Sequence, residues 1–190
     1  MAADKKGALE RAATLVFYDE GGFSLKPSVR STWAPRGQTP LLRHKFNWKR
    51  LHATANVVCQ PDGSACDLFL SVQEQAIAED AVSAHLNALH QQVSGVLFVL
   101  WDGLPAHRSK KVQQHIVANA DWLQVHRFPA YAPELNPVEQ IWNHTKYREL
   151  ANYLPEDLAA LQDAVGFSLA GTRFQQRLLR SCFRYANLQL

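Results

Sequence analysis

Two short apolar runs in this chain each end in carboxylates: Leu15-Val-Phe-Tyr before Asp19 and Glu20, and Val96-Leu-Phe-Val-Leu-Trp before Asp102. Runs of this length and character read as strands buried on both faces, which restricts the chain to an α/β architecture with helices over a sheet. A buried carboxylate without a partner is costly, so acids that close such strands imply a use for them. A third acid, Glu139, opens a late helix in Tyr131-Ala-Pro-Glu-Leu-Asn-Pro-Val-Glu139. Three acids brought together from distant parts of the chain repel one another unless a cation lies between them. Oxygen-only ligands suit a hard divalent ion, magnesium or manganese.

Each acid also has a plainer explanation. Asp102 precedes Gly103 and suits a turn. Asp19 competes with Glu20, and side-chain alternation along a strand lets only one of the two face a site. Glu139 follows Asn136 and Pro137, a good helix start with Asn as cap and Pro at the first position, so Glu139 could fold back in a capping box. Glu134 is a rival third ligand, although it lies in a loop between prolines. Against these stand the position of Asp19 and Asp102 at strand carboxyl ends, where ligands gather in α/β sheets. A helix N-terminus also favours the ionised form of Glu139.

Phe128-Pro-Ala-Tyr-Ala-Pro-Glu-Leu-Asn-Pro-Val-Glu-Gln-Ile-Trp142 resembles the block around the last acid of mariner-like insertion-sequence transposases, members of the Asp-Asp-Glu (DDE) superfamily. Phe17-Tyr-Asp-Glu-Gly-Gly-Phe23 is similar to the first-acid block of that family and Trp101-Asp-Gly-Leu-Pro-Ala-His107 to the second. The blocks stand in the family's order between about Leu15 and Leu150. The resemblance selects Asp19 over Glu20 and Glu139 over Glu134, and implies that Asp19, Asp102 and Glu139 are both the catalytic and the metal-ligating residues, holding two Mg²⁺ or Mn²⁺ ions. His107 and Asn136 are secondary candidates. The chain departs from the family pattern at Gly21, where a small polar residue is usual, and at Gly103, where asparagine is usual.

Charge adds a candidate DNA surface. The net charge of +3 is modest, but no Asp or Glu occurs from Gly21 to Pro61, where Lys26, Arg30, Arg36, Arg43, Lys45, Lys49 and Arg50 alternate with Trp33, Phe46 and Trp48. Basic side chains neutralise phosphates and aromatic rings stack on unpaired bases, so Arg43, Lys45, Lys49 and Arg50 are candidate DNA contacts. Lys110 and Lys111, at the start of a helix, join them.

The remaining composition is that of a soluble protein, at 47% hydrophobic and 19% charged residues. No stretch is long and apolar enough to span a bilayer, and the N-terminus lacks the apolar core of a secretory signal. Cys59, Cys66 and Cys182 form an odd set with no close pair, which predicts unpaired structural cysteines in a reducing cytoplasm.

Periodicity predicts strands at Leu15–Asp19, Phe23–Lys26, Ser31–Ala34, His52–Cys59, Ala65–Val72, Val96–Trp101 and Trp122–Phe128. It predicts helices over Glu79–Val93, Ser109–Asn119, Asn136–Leu150, Pro155–Leu169 and Arg173–Tyr185. That order is the order of a ribonuclease-H-like mixed sheet flanked by helices. Residues 1–14 read as an N-terminal remnant or linker and 15–190 as the catalytic domain. The resemblance implies cleavage of DNA at transposon ends and strand transfer into target DNA by a homodimer, in a bacterial cytoplasm at the nucleoid. Family members carry helix-turn-helix modules ahead of this domain, so recognition of the ends is expected from a separate polypeptide. Two rivals are a structure-specific nuclease of the same fold and an inactive, DNA-binding transposase remnant.

Overall fold

The computed structural model describes residues 13–44, 47–60, 65–129 and 132–185. Five strands form one sheet: β1 (Thr14–Ser24), β2 (Arg50–Cys59), β3 (Cys66–Gln73), β4 (Leu97–Trp101) and β5 (Leu123–Arg127). Among the described residues five α-helices accompany them: α1 (Glu79–Gln92), α2 (Lys110–Ala118), α3 (Pro137–His144), α4 (Leu158–Arg173) and α5 (Gln176–Tyr185). The sheet order is β3-β2-β1-β4-β5. β1, β2 and β3 pair antiparallel with one another, whereas β4 and β5 run parallel to β1. The two apolar runs are therefore adjacent central strands, in the mixed sheet that the sequence predicts.

Both faces of these strands are covered. On one, Leu15, Phe17, Phe98 and Leu100 pack with Ile141 and Trp142 of α3, Val165 and Leu169 of α4, and Phe183 of α5. On the other, Val16, Tyr18, Val99 and Trp101 pack with Val82, Leu86 and Leu89 of α1 and Val112 of α2. Each fully buried side chain of this size contributes roughly 1.5–3 kcal/mol of transfer energy.

The structure corrects several expectations. Gly21-Gly22 does not turn: β1 continues through it to Ser24, with Gly21 opposite Ala53 and Gly22 opposite His52. Ladder pairing overrides the local turn preference of two glycines. Ser31–Ala34 is not a strand but part of an exposed segment between β1 and β2. That segment is tethered at its start, where Ser28 bridges Ala151 and the Asn152 side chain bonds both the N–H and the C=O of Arg30. The helix opened by Asn136 stays α-helical only to His144 and then widens into a π turn, Thr145–Glu149. α4 begins three residues later than predicted because the Asp157 carboxylate accepts the Ala160 N–H at 2.8 Å and so caps it there. Cys59 and Cys66 are not unpaired. They are register partners at the ends of β2 and β3, with Cα atoms 4.3 Å apart, and form a disulfide, while Cys182 is free and buried. The seven-residue spacing gives no hint of a pair until the hairpin folds and closes it. Among the described residues no helix is long and apolar enough to cross a membrane.

Candidate active site

The parallel register of β1 and β4 pairs Phe17 with Leu100. Two residues further on, that register sets Asp19, midway along β1, beside Asp102, just past the carboxyl end of β4. α3 packs against β1 through Val138, Ile141 and Trp142, and so delivers Glu139 from its first turn to the same place. Asn136 fixes where that helix starts: its Oδ1 accepts the Val138 N–H at 3.2 Å, and Pro137 occupies the first turn. Asn136 is buried and its amide also reaches the Tyr18 carbonyl at 3.5 Å, which ties the helix start to β1.

Asp19, Asp102, Asn136 and Glu139 line one open cleft of about 620 Å³. Its other walls include Gly103, Leu104, Pro105, Phe128 and Pro133, with Arg108 and Arg127 as cations. The acids share the cleft without forming a ready-made chelate: among the described residues no group of three His, Cys, Asp or Glu side chains is arranged to hold a metal ion. Their mutual influence is nevertheless strong. Burial, then the charges of Glu139 and Asp102, push Asp19 from its ordinary 3.8 up to about 7. An all-oxygen donor set of mutually repelling carboxylates fits a hard divalent cation.

Neighbouring residues orient Asp19 and Asp102. The Trp142 indole N–H donates to Asp19 Oδ2 at 3.1 Å. That contact explains the departure at Gly21: a Cβ there would stand 2.9 Å from the Trp142 ring, so a side chain of any size would displace the indole. Gly103 faces open space, and nothing in the structure requires glycine there. Asp102 Oδ1 accepts from the Leu104 N–H at 3.0 Å and lies 2.9 Å from His107 Nδ1. These donors outweigh the effect of its partial burial and hold the Asp102 carboxyl below the usual carboxylate range. Glu20 points to the opposite face of β1 from Asp19, where it accepts from the Tyr18 hydroxyl at 3.0 Å. Glu134 is exposed in a short 3₁₀ turn and does not line the cleft.

The DNA-contact candidates fall elsewhere. Arg43, Lys49 and Arg50 are exposed on the segment between β1 and β2 and its junction with β2, and Lys45 lies outside the described residues. Lys110 and Lys111 open α2, where Lys111 is ion-paired with Asp80 of α1. None of the described ones lines the cleft. The basic residues lining the cleft are Arg108 and Arg127; the half-buried Lys146 lines a neighbouring pocket but feels the charges of Glu139 and Asp19, and burial lowers its pKa. Sequence reasoning missed all three. Arg108 and Arg127 each close a segment next to an acid block, but nothing local marks them as convergent. Lys146 sits seven residues, two helical turns, after Glu139, and that spacing was a readable signal.

A family model described as DDE superfamily endonuclease matches residues 14–162. No curated protein matches the chain by sequence. Among solved structures, the Mos1 mariner paired-end complex with Mn superposes with a TM-score of 0.66 at 14% identity, over 98% of this chain and 56% of that one. The Mos1 strand transfer complex gives 0.64 at 17% identity, over 97% of this chain and 55% of that one. The catalytic domain of Mos1 mariner transposase alone gives 0.60 at 12% identity, over 98% of this chain and 84% of that one. This chain thus spans little more than half the length of the transposase in those complexes. At such identities the likeness shows a common fold.

Proposed function

Because the chain belongs to the DDE superfamily of endonucleases, we propose that it is the catalytic domain of a transposase that cuts DNA at the ends of a mobile element and joins the freed 3′-hydroxyl to target DNA. The observation that carries this reading is the convergence of Asp19, Asp102 and Glu139, from two central strands and one helix start, on a single cleft walled by arginines. Asp19, Asp102 and Glu139 would hold Mg²⁺ or Mn²⁺, and two ions suit a reaction that must activate an attacking oxygen and stabilise a leaving one.

Each residue has a role of its own in that scheme. Asp19 feels the charge of both Glu139 and Asp102, and Asp19 or Asp102 would share an ion with Glu139. Trp142 keeps one oxygen of Asp19 directed, leaving the other for a ligand. Asn136 sets the start of α3 and so the height of Glu139 above the sheet. Arg108 and Arg127 meet the phosphates flanking the scissile bond, as point charges that position without reading sequence. Among the described residues the cleft lining contains no Ser, Tyr or Cys. In this reading the attacking group would be water in cleavage and a DNA 3′-hydroxyl in joining. The exposed Arg43, Lys49 and Arg50 and Lys110 at the start of α2 would extend the DNA path, with Lys45 a further candidate from the sequence. The reading carries with it a dimer on paired ends, a separate helix-turn-helix polypeptide for end recognition, and a bacterial cytoplasmic, nucleoid-associated setting.

The test is cleavage of double-stranded DNA by the purified chain with Mg²⁺ or Mn²⁺, alongside thermal melting with each metal. We expect metal-dependent nicking, joining of a pre-cut 3′-end to a second duplex, and a metal-dependent rise in melting temperature. Asp19→Ala, Asp102→Ala and Glu139→Ala should each abolish the activity and reduce the rise. Cleavage without joining would identify a nuclease of the same fold, and a flat response to both metals would refute the site.

A further inference from the structure

Beneath the acid cleft, on the opposite face of β1, a second line of polar side chains ends at the same carboxylate. Tyr18 donates its hydroxyl to Glu20 Oε1 at 3.0 Å. The same oxygen lies 3.3 Å from His107 Nε2, and His107 Nδ1 lies 2.9 Å from Asp102 Oδ1. Both ring nitrogens of His107 thus face carboxylate oxygens, which can only accept, so both donate. The ring cannot rotate away. It is fully buried, stacked on Trp101 with centroids 4.2 Å apart and planes within 3°, and met edge-on by Tyr18. Its backbone is pinned as well, since Gln113 Nε2 donates to the His107 carbonyl at 2.8 Å.

The consequence for Asp102 is specific. Oδ1 receives two donors, the His107 ring and the Leu104 N–H, so Oδ2 is the oxygen left for the cleft. Asp102 sits just past the end of β4, before a glycine, where a carboxylate with no such support would sample several rotamers. We propose that Glu20 and His107 are positioning residues: Glu20 orients the His107 ring, and the ring clamps one oxygen of Asp102 so that the other is presented to a divalent cation. The inference rests on the reading of Asp102 as a metal ligand. It also gives a role to Glu20, the acid next to Asp19 that faces away from the cleft. Partners that orient ligands typically change metal affinity by about 10–100-fold when removed.

The experiment is a Mn²⁺ titration of the full chain, with free Mn²⁺ followed by electron paramagnetic resonance, and DNA cleavage measured on the same samples. Circular dichroism checks that each variant is folded. Glu20→Ala and His107→Phe should weaken Mn²⁺ binding by about 10–100-fold. Glu20→Gln, which keeps an oxygen to accept the ring N–H, should stay close to the parent. The Glu20→Ala/His107→Phe double variant should bind no more weakly than His107→Phe alone, because both changes interrupt one line. His107→Phe retains the stacked ring, so it supplies the test if Glu20→Ala does not fold. Unchanged Mn²⁺ affinity in folded Glu20→Ala and His107→Phe, with affinity lost in Asp102→Ala, would overturn this inference and leave the metal site standing. Unchanged affinity in Asp102→Ala itself would overturn the metal site, and the positioning role with it.

Discussion

Asp19 is where burial and function conflict most directly. Its side chain is nearly enclosed, it stands near two other acids, and its carboxyl is pushed up to about 7. The folded-state value lies above the unfolded one, so between about pH 4 and 7 the folded chain binds more protons there. The metal-free protein consequently loses stability as pH rises through that window, and the loss is complete above about pH 7. Asp19→Asn keeps an acceptor for the Trp142 indole while removing the charge. We expect it to stabilise the metal-free protein by about 2 kcal/mol at pH 8 and to change little at pH 4, as read from urea melts at the two values. Gly21 makes the complementary prediction. Gly21→Ser forces a Cβ against the Trp142 ring and should cost about 1–3 kcal/mol as overpacking. Cleavage should fall with it, because the indole can no longer direct Asp19. Equal stability and activity in Gly21→Ser would show that the indole has room to retreat.

Among the secondary-structure elements, the β2–β3 hairpin and α3 have separate duties. α3 sets the third acid, and its start is held by local chemistry: Asn136 as cap, Pro137 in the first turn, and apolar residues at Val138, Ile141 and Trp142 facing β1. The hairpin lies away from the cleft and is closed by the Cys59–Cys66 disulfide across a seven-residue separation. Its register is also held by eight backbone-paired positions between His52–Cys59 and Cys66–Gln73, so the crosslink reinforces pairing that already exists. Replacing both cysteines with serine should lower stability by about 2 kcal/mol on loop-entropy grounds. For a chain of this size that is a drop of about 4–8 °C in melting temperature. Metal-dependent cleavage at 25 °C should be unchanged. A large loss of activity without a loss of stability would mean that the hairpin communicates with the acids.

For the whole molecule, the proposed function makes the distribution of charge decide how DNA would be met. Asp19, Asp102 and Glu139 line the cleft, with the cations Arg108 and Arg127 in its walls and others along the exposed segment between β1 and β2, where Trp33 and Trp48 are exposed. Binding held mainly by phosphates weakens linearly on a log–log plot against salt, with a slope of about −0.9 for each phosphate neutralised. The Arg108→Ala/Arg127→Ala double variant should flatten that slope by about 2 and weaken binding to all sequences alike, measured by fluorescence anisotropy between about 50 and 200 mM salt. Lys111→Ala should have a smaller effect, since that ammonium is already engaged by Asp80. A variant pair that alters sequence preference while leaving the slope intact would place the arginines on bases instead of phosphates.

By itself the sequence determined the central strands, the three acid blocks, their order and the start of α3, because each is written in neighbouring residues. An apolar run ending in Asp, or Asn-Pro-x-Glu before an amphipathic stretch, carries its local physics with it. Only the tertiary structure decided what depended on contacts between segments far apart in the chain. Gly21-Gly22 extends β1 because β2 lies beside it. Cys59 meets Cys66 because the hairpin closes in one register. Glu20 reaches His107, 87 residues away, because β4 brings the following loop under β1. Arg108 and Arg127 share a cleft with Asp19 because β4 and β5 end side by side. Local sequence specifies which groups a segment carries and which face they take. Which distant groups they meet is set by the free energy of the whole packed sheet, and no short stretch contains that.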